Sequence, residues 1–175
     1  MRTLPEGIPP TGQIAFVVHD LERALEQWSR LSIGPWNIWT KGPERLSQMT
    51  YHGRQQPYSM KIALCSIGPL TYELIEAVQG PNIYEEFLQQ YGEGAHHLGY
   101  YVDDMSAATA SMEGMGYHVI QSGSGFGVDG DGAFAYFDTQ RDLGCIFEAI
   151  MVPKRMPQPE RQMFGSLPHA AEREG

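Results

Sequence analysis

Apolar and polar positions alternate with period two in several short runs of this chain, and after two of those runs the pattern changes to a period near 3.6. Ile14, Phe16 and Val18 alternate with Gln13, Ala15 and Val17, which predicts an opening strand. Leu98, Tyr100 and Val102 alternate with His97, Gly99 and Tyr101 in the same way. Each run is followed by an aspartate, Asp20 or Asp104, a residue type that caps helices because its carboxylate accepts from the free N–H groups of the first turn. Then comes an apolar stripe: Leu21, Ala24, Leu25, Trp28 and Leu31 in the first helix, and Met105, Ala108, Met112 and Met115 in the second. Gly34-Pro35 and Gly116 end these helices. Three further strands are predicted at residues 46–51, 59–67 and 70–78, the last two joined by the tight turn Gly68-Pro69. The matching strands farther along fall near 117–121, 133–138 and 145–152. Residues 81–90, with Ile83 and Phe87 suitably spaced, suit a short connecting helix.

The pattern is βαβββ given twice, so the expected class is α+β. Two tandem modules, residues 12–80 and 95–152, form one domain over 12–152, with a curved mixed sheet around a metal cavity. Residues 1–11 and 153–175, rich in Pro, Gly and charged residues, are expected to be irregular. Laid over each other, the copies put Gln13 on His97, and Tyr72-Glu73-Leu74-Ile75 on Phe147-Glu148-Ala149-Ile150, so that Glu73 falls on Glu148. These four polar side chains stand in strands that otherwise hold apolar residues. A carboxylate buried there costs several kcal/mol unless a cation or donors meet it. Ala15 and Gly99, beside the polar positions, are small where a core would need bulk, and so leave space for a cavity. If the copies pair about a pseudo-two-fold axis, Gln13, Glu73, His97 and Glu148 converge. One imidazole, one amide oxygen and two carboxylates make a mixed site for a divalent ion such as Zn, Ni, Co, Mn or Fe.

Composition narrows the partners. A net charge of −9, with 12 Lys and Arg in 175 residues, leaves too few cations for a phosphate-binding surface, so neither nucleic acid nor anionic membrane is expected. The apolar runs fall far short of a membrane span, and no signal peptide is visible at the start. Cys65 and Cys145, each inside a strand-like run, suit free thiols in a reducing compartment. The expectation is a cytoplasmic protein acting on a small molecule.

The segment Gly92-Glu93-Gly94-Ala95-His96-His97-Leu98-Gly99-Tyr100-Tyr101-Val102-Asp103-Asp104, together with the βαβββ duplication, resembles the vicinal oxygen chelate superfamily. That superfamily includes glyoxalase I, methylmalonyl-CoA epimerase, extradiol dioxygenases and the fosfomycin and bleomycin resistance proteins. The His-His segment is closest to the epimerase branch, whose second histidine is the ligand, here His97. The Gln, Glu, His, Glu set is similar to that of zinc-dependent glyoxalase I. The resemblance implies a metal held by Gln13, Glu73, His97 and Glu148, and a homodimer. It also implies an isomerase, epimerase or lyase that transfers a proton next to a carbonyl of a small molecule or acyl-CoA, with Glu148 as first candidate for the base and Glu73 as second. Two alternatives stand beside it: an Fe(II)-dependent ring-cleaving dioxygenase, and a non-catalytic resistance-type protein that sequesters a small molecule. Epimerases of the superfamily can carry a further carboxylate base on a strand of the first module, and the matching position here is Lys61. Arg54, Lys61 and Arg141 are candidates for holding the carboxylates of glutathione.

Strict alternation sends His96 to the face opposite His97, as a packing residue or a contact supporting the ligands. His19, His118 and His169 are expected to be solvated, and His52 with Tyr51 and Arg54 to lie in a loop near the cavity mouth. The glycine-rich stretch 123–132 has no Lys-Ser/Thr end for a phosphate cradle and no closing glutamate for a calcium loop, which leaves a mobile flap. Trp36 and Trp39 are expected to complete the core or a subunit contact, with substrate stacking as the lesser alternative. Tyr101 shares the face of His97 and can reach the cavity.

Overall fold

The structure, a computed structural model, describes residues 10–164. The expectations for residues 1–9 and 165–175, including His169, lie outside the described residues. In chain order the elements are β1 (Thr11–Val18), α1 (Leu21–Arg30), β2 (Trp36–Lys41), β3 (Gln48–Tyr51), β4 (Arg54–Gln55), β5 (Ser59–Ile67), β6 (Leu70–Gln79) and α2 (Ile83–Tyr91). There follow β7 (Gly94–Tyr101), α3 (Met105–Gly114), β8 (Val119–Phe126), β9 (Gly132–Phe137), α4 (Gln140–Leu143), β10 (Ile146–Met151) and β11 (Arg161–Met163).

All strands join one mixed sheet in the order β11-β2-β5-β6-β1-β7-β10-β9-β8-β3-β4. The two opening strands, β1 and β7, pair antiparallel at its centre, each flanked by the closing strand of its own module running parallel to it. This is the pseudo-two-fold arrangement expected from the repeat, and it brings the four polar positions onto four adjacent strands, β6-β1-β7-β10. Asp20 accepts from the Arg23 amide and Asp104 from the Ala107 amide, so both helices start at the expected cap. α1 covers Val18, Trp36, Ala63 and Leu74 on one outer face, and α3 lies over Ala135, Phe137 and Ala149 on the other. The inner face carries the largest apolar cluster, among it Val17, Trp39, Met60, Tyr84 and Tyr136. Side chains from strands as far apart as β2 and β9 line a single cavity, which requires the sheet to curve around it.

Three expectations need correction. The second strand of module one is β2, not residues 46–51; its alternation was hidden because Trp36, Ile38 and Trp39 are all buried, leaving no polar face to mark period two. Residues 48–51 form β3 of a hairpin that reaches across and pairs with β8 of the other module. The tail is not wholly irregular, for β11 pairs with the free edge of β2, and Arg161 is ion-paired with Glu22 of α1. Finally, half of the glycine-rich stretch is strand: β8 runs to Phe126 and β9 begins at Gly132. The turn between them is tied to the tail by the Asp129–Arg155 ion pair.

Candidate metal centre

The centre is built by strand register. Ala15 stands between Glu73 on β6 and His97 on β7, and Gly99 stands between Gln13 on β1 and Glu148 on β10. Each small residue thus lies between two of the polar side chains, and the crowding is measurable at Gly99. A Cβ there would stand 2.8 Å from the Gln13 Cβ and 2.7 Å from the Ile150 Cδ1, below any ordinary contact.

All four predicted residues come together, and all are buried, none more than 6% exposed. The Gln13 amide donates to Glu73 Oε2 at 2.7 Å and to Glu148 Oε2 at 3.3 Å. His97 Nε2 lies 3.0 Å from Glu148 Oε2 and 3.4 Å from Glu73 Oε2, yet it makes no aligned hydrogen bond. Ligand atoms of Glu73, His97 and Glu148 all fall within 4.8 Å of one another. Burial pushes the Glu73 carboxyl up, opposed by His97 and reinforced by the charge of Glu148. Burial pushes the His97 imidazole down, but the two carboxylates outweigh it and hold it up at about 9.

This donor set fits a divalent cation. Two carboxylates crowded around an orphaned imidazole nitrogen carry two negative charges where water is excluded, and one doubly charged ion balances them with His97 neutral. Glu73, Glu148 and His97 Nε2 would be ligands, joined by the Gln13 amide once it turns its oxygen inward.

His96 is not where alternation put it. A register shift between Ala15 and Phe16 makes a bulge at this point of β7, and His96 Nδ1 lies 2.9 Å from His97 Nδ1 on the same side of the sheet. Both rings also lie against Tyr136. Burial and the neighbouring His97 hold His96 well below its ordinary value, partly opposed by the backbone at Ile83. A neutral His96 therefore accepts from His97 Nδ1–H, an assignment made by the network, and this frees His97 Nε2 for a ligand. Nothing in the sequence marks the bulge.

The cavity in front of the centre has a volume of about 370 Å³ and is walled by Trp39, Met60, Phe126, Phe134 and Tyr136, with Val152, Pro153 and Met156 of the tail at its rim. Tyr101 reaches it as expected, its hydroxyl donating to Thr71. Lys61 does not reach it. Its ammonium pairs with Glu76 at 2.9 Å, and Glu76 in turn accepts from the Leu21 amide of α1, on the outer face. His52 and Tyr51 bond Glu86 of α2, away from the cavity lining. Cavity residues missed from sequence include Lys41, which belongs to the unrecognised strand β2, and Tyr136, while Trp39 falls first to the core or a subunit contact and only second to substrate stacking.

Residues 12–137 match the family model described as Glyoxalase/Bleomycin resistance protein/Dioxygenase superfamily. The chain belongs to this superfamily. Solved structures agree with a glyoxalase-superfamily fold. Methylmalonyl-CoA epimerase from Mycobacterium tuberculosis superimposes with a TM-score of 0.62 at 15% identity, covering 87% of this chain and 95% of that one. A methylmalonyl-CoA epimerase in complex with methylmalonyl-CoA and NH4+ gives 0.57 at 17% identity, with 86% and 99% covered. A hypothetical protein from Bacillus halodurans gives 0.57 at 19%, with 85% and 97% covered. No curated protein sequence matches the chain significantly. Among the described residues no helix is long and apolar enough to cross a membrane.

Proposed function

We propose that this glyoxalase-superfamily member is a metal-dependent enzyme that moves a proton at the carbon next to a carbonyl, with an isomerase, epimerase or lyase outcome. The observation that carries the reading is the buried quartet Gln13, Glu73, His97 and Glu148, of which Gln13, Glu73 and Glu148 line a largely apolar cavity and His97 lies against the two carboxylates. A divalent ion held there supplies Lewis acidity to a carbonyl oxygen and so makes the neighbouring C–H more acidic. The remaining work falls to side chains of the chain itself.

Glu148 is the first choice for the base that takes the proton. Its contact from Gln13 is the longer, 3.3 Å against 2.7 Å for Glu73, so it is the carboxylate less tied by the amide. Both carboxylates border the cavity, which places them beside a bound substrate. Glu73 is the second choice. A further base from β5 finds no support, because Lys61 faces outward and the β5 residues lining the cavity are Met60, Ile62, Leu64 and Ser66. Tyr84 donates to the Tyr136 hydroxyl, whose own proton has no acceptor among the described residues. Burial pushes Tyr136 well up, followed by the charge of Glu148, so this hydroxyl stays protonated and can donate to a substrate oxygen.

The test is solvent deuterium incorporation into candidate acyl-CoA and 2-oxo compounds by the metal-loaded protein, with Glu148→Gln as control. Exchange by the native chain that falls by about 10²–10⁴-fold in the variant is expected of a lost general base. No exchange with any compound, or exchange indifferent to Glu148→Gln, counts against the reading.

A further inference from the structure

The cavity has a second polar end. β2 alternates, so Asn37, Trp39 and Lys41 face the cavity while Thr40 faces out to Glu160. Lys41 is 5% exposed, an uncommon place for an ammonium without a partner. Its Nζ has no hydrogen-bonding acceptor among the described residues, and the contact it does make is with the Phe126 ring, 4.6 Å from the centroid. The acids near enough to influence it are engaged elsewhere. Glu160 accepts from the Thr40 amide and hydroxyl and pairs with Arg45 at 2.8 Å. Glu73 accepts from Gln13 and belongs to the metal set. Arg45 adds a second positive charge on the same side. With its carbon stem buried and its ammonium unpaired, Lys41 presents a positive end to an anion in the cavity.

We infer that Lys41 is the specificity-determining residue for a carboxylate carried by the substrate, at the end remote from the carbon that reacts. The inference rests on the metal-dependent reading above and deepens it by naming the substrate class: a compact carboxylic acid with an apolar body and a second oxygen function for the ion. The geometry supports three features of such a molecule. In the sheet order β2-β5-β6, Lys41 is level through Met60 with Ala77, two strands across and four residues along from Glu73, roughly 16 Å at the backbone for strand spacings of about 4.8 Å and a rise of about 3.3 Å per residue, so the two oxygen functions are separated and not vicinal. The walls between them, Trp39, Phe126, Phe134 and Tyr136, are aromatic, so the connecting body is apolar. The rim formed by Val152, Pro153 and Met156 keeps the space small.

The probes are α,ω-dicarboxylic acids from succinate to suberate, each paired with the monocarboxylic acid of equal carbon count. Binding is measured calorimetrically to the full chain loaded with zinc. One carboxylate of a matching diacid meets the ion and the other meets Lys41. At least one diacid should therefore bind about tenfold or more tightly than its monoacid, the size of a charge-assisted hydrogen bond. Lys41→Met, which keeps the length and apolar stem, should remove that preference, and Lys41→Arg should retain part of it. Zinc stoichiometry and the melting temperature of Lys41→Met establish that the variant is folded and metal-competent. If no diacid in the series outbinds its monoacid, or if the preference survives Lys41→Met, the inference is overturned. The same titrations without zinc separate the two claims: a lysine-dependent preference that ignores zinc sinks the metal reading and leaves the Lys41 assignment standing.

Discussion

At the scale of single residues, the centre depends on side chains that give way to others. Gly99 is required because its neighbours on both sides, Gln13 and Ile150, occupy the volume a methyl would need. Gly99→Ala should cost about 1–3 kcal/mol by overpacking, measured by urea denaturation, and should weaken metal binding through Gln13. His97 makes a prediction about pH. Its metal-free imidazole is held up at about 9 from 6.5, so it contributes stability that is fully present below 6.5 and is lost as pH rises through about 9. Thermal melts of the metal-free protein should fall across that window, and zinc, which displaces the proton, should flatten the fall. At Lys41 the shift runs the other way, downward. Burial first, then Arg45, bring it down to about 8 against the pull of Glu73 and Glu160, so affinity for an anion in the cavity should fade as pH rises through about 8. Titrations on either side of that value check it.

At the scale of elements, two equivalent helices start from two equivalent caps, and Asp20→Ala and Asp104→Ala should each lose about 1 kcal/mol in chemical denaturation. The tail is a more telling element. The Trp39 indole donates to the carbonyls of Pro157 and Gln158, and β11 completes the edge of β2. Ending the chain after residue 152 should expose Trp39, shift its fluorescence to the red and open the cavity rim; unchanged emission would show that the tail does not cover it. Elements marked by alternation, a capped stripe or flanking glycines were legible in the sequence, and β2 and β11 were not. β1, α1, β6, β7, α3 and β10 announce themselves by alternation or by a 3.6-residue stripe with an aspartate cap. β2 is buried on both faces and β11 is three residues long, so neither has a period to read. The clustering of Gln13, Glu73, His97 and Glu148 was legible because the repeat placed the same polar positions in equivalent strands. Lys41 was not legible, since only the strand assignment reveals that it faces inward. His96 was misplaced because a bulge breaks the alternation on which its assignment rested.

At the scale of the whole molecule, two modules that share one sheet bring their buried polar positions together at its centre. Two buried carboxylates, one from each module, face each other across the central strand pair with Gln13 and His97 to meet them, and a divalent cation would bind them jointly. The ion should therefore stabilise the entire fold and not a local loop. Saturation at a hundred times the dissociation constant corresponds to about 2.7 kcal/mol, and chelator should lower the single melting transition by the matching amount. The most direct measurement of the central claim is a crystal structure of the zinc-loaded protein with anomalous data at the zinc edge. The account predicts one peak at the β6-β1-β7-β10 centre, about 2.0–2.2 Å from oxygens of Glu73 and Glu148 and from His97 Nε2, with Gln13 turned toward it. A peak elsewhere, or none while these four side chains keep their metal-free contacts, would contradict it.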